Sequence, residues 1–194
     1  MLDFLNWPIV GSGAERVCYR DPKDPLRCIK VSKKGQSKQT RRELKYYEYL
    51  AKRQVSYSHI PKFYRRVDEG DYIGLEMEYV CNPNGDSAPD LHKYLKRPLT
   101  ETEVHHFYQA LTQIKQYLII NNIVPCDLVL SNFLVLTRPE GIKIMMVDGL
   151  GGAEFIPFAN YIPYLGRRKI ERKWQKFMVE RIEPTIEGYK VQPT

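Results

Sequence analysis

The sequence predicts an α+β fold in which a strand-rich N-terminal half precedes a mainly helical C-terminal half. Three observations predict it: short apolar stretches parted by Gly, Pro and Asp turns up to about residue 80, a capped amphipathic helix opening at Thr100, and a basic amphipathic helix near the C-terminus. At 194 residues the chain is long enough for one well-cored domain, in two lobes at most.

The elements follow in order. Gly11 and Gly13 make a tight turn between the apolar stretches of WPIVGSGAERVCYR, DPKDP turns the chain again, and LRCIKVS forms a short strand, so the start is an antiparallel meander. TRRELKYYEYLA, residues 40–51, is helical, with Leu44, Tyr47, Leu50 and Ala51 on one side. KFYRRVD and YIGLEMEYV return to strand, the second alternating Ile73, Leu75, Met77 and Tyr79 against Gly74, Glu76 and Glu78. After the loop CNPNGDSAP, whose residues 82–89 suit a hinge, DLHKYL makes a short helix. Thr100 and Glu103 form a capping-box pattern ahead of Val104, Phe107, Leu111, Ile114 and Leu118, and Asn121 and Asn122 close that helix. NFLVLTRPEGIKIMMVD is a hairpin turning at Pro139 to Gly141, and a last helix gathers Ile170, Trp174, Phe177, Met178 and Ile182 opposite its Arg and Lys.

Composition narrows the function classes. The net charge of +7 is concentrated in KVSKKGQSKQTRR (30–42) and RRKIERKWQK (167–176), each with six basic residues, and it favours anionic partners without choosing among them. Cys18, Cys28, Cys81 and Cys126 are too widely spaced for a zinc site or disulfide framework, which suits a reducing cytoplasm. His105 and His106 are adjacent, so on a helix they diverge by about 100° and make a poor metal pair. The N-terminal MLDFLNWPIV lacks a basic leader and carries Asp3, Asn6 and Pro8, against a signal peptide or membrane span.

Polar residues interrupt the apolar patterns at chosen places. VPCDLVLSNFLVL, residues 124–136, reads as core, yet it carries Asp127 and, five residues on, Asn132. Lys30 interrupts CIKV, and Asp148 follows the strand IKIMMV directly. Phosphoryl transfer needs a lysine on nucleotide phosphates, a glutamate holding that lysine, a carboxylate orienting the attacking hydroxyl, and Asn and Asp oxygens for Mg²⁺.

That order of residues resembles the protein-kinase signature set. GSGAERVCY looks like the glycine-rich loop, through Gly11 and Gly13, and CIKV like the strand of the phosphate lysine, Lys30. Glu43 of RREL looks like its helix glutamate; Glu48 is the rival on the same helix, and Glu43 is preferred because it follows the paired arginines and lies one turn before Tyr47. LEMEYV looks like the adenine-binding strand and hinge, with Glu78 and Val80. CDLVLSN looks like the catalytic loop, with Asp127 and Asn132, and VDG like the metal-binding motif, with Asp148. More narrowly, GAERVCYRDPKDPLRCIKV, TRRELKYYEYL, NNIVPCDLVLSNFLV and RRKIERKWQKF resemble the bacterial YrbL family, named after a protein of the PhoP regulatory network, over nearly the whole chain. The resemblance implies a single two-lobed, protein-kinase-like domain: an antiparallel-sheet N-lobe over 1–80 and a reduced, helical C-lobe over 81–194. It implies ATP and Mg²⁺ as cofactors, with Asp127 and Lys30 catalytic, Gly11, Gly13, Lys30, Glu43, Glu78 and Val80 holding nucleotide, and Asn132 and Asp148 holding metal.

The sequence also departs from the kinase pattern. Arg16 stands at the third glycine, PCD replaces His-Arg-Asp, Val129 replaces a lysine, DGL replaces Asp-Phe-Gly, and only 46 residues follow Asp148, without an Ala-Pro-Glu segment. Three function classes follow: a phosphotransferase acting on a small-molecule, sugar or protein acceptor; a pseudokinase or nucleotide-gated regulatory binding protein; and a nucleic-acid binder using residues 30–42, which no helix-turn-helix or RNA-binding signature supports, so no nucleic acid is expected. Arg167, Arg168, Lys169, Arg172, Lys173 and Lys176 would serve an anionic acceptor or membrane surface.

Overall fold

The structure, a computed structural model, describes residues 3–150 and 162–190. The chain divides into two compact units: residues 1–57 with 61–81, and residues 58–60 with 82–194.

The first unit is a five-stranded antiparallel sheet with one helix. Its strands are β1 (Ile9–Ser12), β2 (Val17–Arg20), β3 (Arg27–Lys33), β4 (Phe63–Glu69) and β5 (Tyr72–Glu78), in the spatial order β1-β2-β3-β5-β4. Helix α1 (Lys38–Lys52) connects β3 to β4, and it covers the sheet with Leu44, Tyr47 and Leu50, the Tyr47 ring lying 5.8 Å from that of Phe63. Phe4, Tyr19, Ile29, Val31 and Val67 form a further apolar cluster, with Trp7 and Tyr72 packed against it.

Two details of this unit differ from the sequence expectation. Ala51 is exposed, and the buried face of α1 is built instead around Glu43, Leu44, Tyr47 and Leu50, at helical spacing. β5 does not alternate between core and solvent: residues 73–77 are all buried, because β5 runs between β3 and β4 with both faces covered. Glu76 tolerates burial there because Arg27 and Arg65 each lie 2.6 Å from its carboxylate.

The second unit contains α2 (Leu91–Tyr94), α3 (Glu101–Ile120), the hairpin β6 (Phe133–Arg138) and β7 (Gly141–Met146), α4 (Pro163–Phe177), a π-helical turn (Met178–Ile182) and α5 (Glu183–Lys190). Both halves of the α3 capping box are present, Thr100 accepting from the Glu103 N–H and Glu103 reaching back to the Thr100 N–H. Phe107, Leu111, Ile114 and Leu118 are buried as the stripe requires. Phe133 of β6 stacks on Phe177 of α4 at 5.3 Å and meets Trp174 edge-on at 6.4 Å, which fixes the hairpin to α4. Residues 58–60 join this unit through His59, whose carbonyl accepts from the Met146 N–H at 2.8 Å and whose ring lies 5.2 Å from Tyr117. Among the described residues no helix is long and apolar enough to cross a membrane.

Gly74 lets β5 approach β3. A Cβ at this position would lie 2.2 Å from the Lys30 carbonyl oxygen and 2.6 Å from a Val31 methyl, and the first of these is backbone that cannot step aside. Gly74→Ala is expected to destabilise the protein by about 2–3 kcal/mol in urea unfolding, a large effect for a single methyl.

Candidate functional site

In the first unit the polar centre is a carboxylate inside the fold. Glu43 of α1 is 1% exposed and faces two cations: the Lys30 ammonium of β3 at 3.1 Å, and the Arg16 guanidinium, hydrogen-bonded to the other carboxylate oxygen. Lys30 therefore pairs with Glu43, whereas Glu48 lies on a half-buried flank of the same helix. Arg16 is 8% exposed, so its side chain folds inward rather than over the loop's outer face.

Its neighbour Glu15 ties the same loop to the start of α1. The Gln39 and Thr40 N–H groups donate to the Glu15 carboxylate at 3.1 and 2.9 Å, satisfying helix amides that Ser37 leaves without a side-chain cap. Partial burial pushes the Glu15 carboxyl up, but these backbone hydrogen bonds, with the Thr40 hydroxyl and the nearby Arg16 charge, outweigh it and hold the group below its ordinary range. Sequence reasoning missed both roles, since nothing in GAERV marks which side chains turn inward.

The other residues of interest in this unit are placed more simply. Gly11 and Gly13 are exposed, neither has a positive φ, and a Cβ on either would meet only ordinary contacts, so the turn itself does not demand glycine. The loop closes through the Gly13 N–H, which donates to the Arg16 carbonyl at 2.8 Å. Val80 is buried; the Glu78 carboxylate accepts from the Lys62 N–H at 3.1 Å, and the Glu78 carbonyl accepts from the Cys28 thiol at 3.6 Å. Hydrogen bonding between the Cys18 and Cys28 thiols on adjacent strands, reinforced by burial, pushes Cys28 well up, so it keeps its proton.

In the second unit the loop of VPCDLVLSNFLVL meets the end of β7. Ile123, Val124 and Pro125 are buried while Asp127 is exposed, which is how an apolar run carries a carboxylate without desolvating it. The short 3₁₀ turn Leu130–Asn132 sets Asn132, whose side-chain amide donates to the Asp127 carbonyl at 3.2 Å. The Cys126 N–H donates to the Gly149 carbonyl at 2.7 Å, the Val147 N–H to the Asn132 carbonyl at 2.8 Å, and the Gly149 N–H to the Asp148 carboxylate at 2.7 Å. Gly149 has φ +81°, and a Cβ there would lie 2.5 Å from the Asp127 carbonyl and 2.6 Å from the Asn132 amide nitrogen. The Asp127 carbonyl, the Asn132 side chain and the Asp148 carboxylate thus converge on position 149, which only a residue without a side chain can occupy.

Among the described residues no three Cys, His, Asp or Glu side chains cluster as a metal cage. Asn132 and Asp148 offer hard oxygen donors, the type that Mg²⁺ takes one or two at a time alongside phosphate and water. From α4, Lys173 donates to the carbonyls of Pro125 at 2.9 Å and Cys126 at 2.6 Å, pinning the residues just ahead of Asp127. The basic pattern of that helix was legible in the sequence, but its attachment to this loop was not.

These features define an α+β protein with an antiparallel sheet whose Lys30 pairs with a buried glutamate, and a second unit in which the Asp127 loop and the end of β7 close around a glycine. The family described as PhoP regulatory network protein YrbL matches residues 3–181, and the chain belongs to it. It is 32% identical over 175 residues to a protein of Escherichia coli (strain K12) named uncharacterized protein YrbL, covering 88% of this chain and 83% of that protein. The protein of the same name from Shigella flexneri matches to the same extent.

Two substitutions test this geometry. Glu43→Gln withdraws the charge that Arg16 and Lys30 share and is expected to cost roughly 3 kcal/mol in denaturant unfolding, with part of the loss recovered when Arg16→Gln is added; additive losses would show that the two side chains are not coupled. Gly149→Ala, strained by its φ and by backbone contact, is expected to lower stability by on the order of 1–3 kcal/mol, read from Trp174 fluorescence in a Trp7→Phe background.

Proposed function

We propose that this chain is a cytoplasmic ATP- and Mg²⁺-dependent phosphotransferase of two-lobed, protein-kinase-like build, acting on an alcohol acceptor. The observation that carries the reading is the closure of one loop and one strand end around Gly149, where the Asp127 carbonyl, the Asn132 side-chain amide and the Asp148 carboxylate converge while the Asp127 side chain stays exposed. The Lys30–Glu43 pair at 3.1 Å supports it, since a lysine held by a glutamate is an oriented cation for phosphate oxygens.

In this reading Lys30 binds nucleotide phosphates and Glu43 keeps its ammonium in place. Gly11 and Gly13 supply a loop without side chains for the phosphates, and the backbone from Glu78 to Val80 receives the adenine. Asp127 orients the acceptor hydroxyl and accepts its proton. Asn132 and Asp148 hold Mg²⁺, which when bound neutralises charge on the transferred phosphoryl group. Positioning and charge do most of the catalysis in such transfers, so fixed geometry matters more than a reactive side chain.

Arg16 favours a second reading. Its guanidinium shares Glu43 with Lys30, a contact that a third glycine could not make, and it suits a nucleotide-gated regulatory binding protein that transfers nothing.

Thermal unfolding with and without MgATP tests the first reading without an acceptor. At ten times the Kd, ATP is expected to stabilise the wild type by about 1.4 kcal/mol, and Asp148→Ala to abolish the shift. A wild type indifferent to millimolar MgATP or MnATP sinks both nucleotide readings. Asp127→Asn separates them: the shift persists in either, whereas a regulatory phenotype unaffected by this variant selects the binding protein.

A further inference from the structure

We propose that the basic cavity beside Asp127 is an acceptor subsite for an alcohol carrying a phosphate monoester. The inference rests on the phosphotransferase reading and names the class of its acceptor. The cavity, about 490 Å³, lies within the second unit, between the loop residues Cys126, Asp127 and Val129 and the basic side chains Arg172, Lys173, Lys176 and Arg181. Its size is that of a small-molecule pocket, of the order of 300–1,000 Å³.

The charge inside it selects the ligand. Four cations face two carboxylates, Asp127 and Glu180, and Glu180 already lies 3.8 Å from Lys176. Among the described residues no carboxylate pairs with Arg172, Lys173 or Arg181. Lys173 is fixed by the Pro125 and Cys126 carbonyls, which leave its positive charge uncancelled beside Val129, where the loop itself has no cation. Burial and the nearby Lys173 and Arg172 charges hold the Lys169 ammonium below its ordinary range, another sign of crowded positive charge on this face. A phosphate dianion balances that excess, and the guanidinium forks of Arg172 and Arg181 match its oxygens.

The reaction balances with ATP as donor. The acceptor hydroxyl oxygen bonds to the γ-phosphorus, the bond from that phosphorus to the β,γ-bridging oxygen breaks with its electron pair passing to ADP, and the hydroxyl proton goes to Asp127.

Cys126 is an exposed thiol on the cavity wall, so its alkylation reports occupancy without nucleotide or turnover. The full chain is treated with iodoacetamide and the rate at Cys126 read by peptide mass spectrometry, as a ratio with and without ligand in each protein. Glycerol 3-phosphate is expected to slow alkylation saturably by at least fivefold, glycerol to leave it unchanged, and Arg172→Gln with Lys176→Gln, both exposed positions, to weaken protection about tenfold at unchanged Tm. Vesicles of phosphatidylcholine with monoacyl lysophosphatidic acid, a monoester that keeps a free hydroxyl, form a parallel arm: protection there alone assigns the monoester to a lipid headgroup, and protection by glycerol 3-phosphate to a soluble acceptor. No protection in either arm, or equal protection in the double variant, overturns the subsite even where the MgATP shift is intact. Protection without any MgATP shift in the wild type overturns the acceptor role together with the phosphotransferase reading.

Discussion

A carboxylate almost wholly removed from water is the constraint around which the first unit is organised. Glu43 is 1% exposed, and an ion so placed costs several kcal/mol unless its charge is answered at close range. The answer comes from two directions, Lys30 on β3 and Arg16 on the loop before β2, so helix, sheet and loop must all keep their places for the charge to remain balanced. Glu15, one residue before Arg16, adds the amides of the first turn of α1 to the same arrangement. The rotation of α1 about its axis is fixed by this polar centre as much as by Leu44, Tyr47 and Leu50.

The second unit solves a different problem with backbone rather than charge. Its loop needs exposed polar side chains at the edge of an apolar core, and it obtains them by burying Ile123, Val124 and Pro125 while turning Asp127 outward. Hydrogen bonds from Cys126 to Gly149 and from Val147 to Asn132 then lock the loop to the end of β7. Lys173 completes the enclosure from α4, using two carbonyls that would otherwise face water or nothing. The arrangement belongs to the main chain, so the points from which the side chains project are set without immobilising exposed side chains such as that of Asp127.

Much of the fold was legible because its signals are local. The capping box at Thr100 and Glu103, the stripe through Phe107 and Leu118, and the hairpin turn before Gly141 depend on neighbours within a few residues. Lys30, Asp127, Asn132 and Asp148 stood out because each interrupts an apolar pattern. What the sequence concealed is non-local: the burial of Gly74 and Glu76 follows from β5 lying between two strands, and the inward turn of Arg16 follows from a glutamate 27 residues away. The π-helical turn after Phe177 was invisible for another reason, since residues 178–182 keep an ordinary helical apolar spacing and differ only in hydrogen-bond register.

Residues 58–60 carry an implication for how the protein can be dissected. The chain passes between its units three times, after residues 57, 60 and 81, and the middle excursion delivers His59 to the strand and helix of the second unit. A cut between residues 81 and 82 therefore yields two incomplete fragments: the later one lacks the carbonyl and ring of His59, and the earlier one keeps three residues that belong elsewhere. The units are not beads on a string, and neither is an interchangeable cassette. Any relative built by joining one unit to a foreign partner must carry this short segment across as a separate piece.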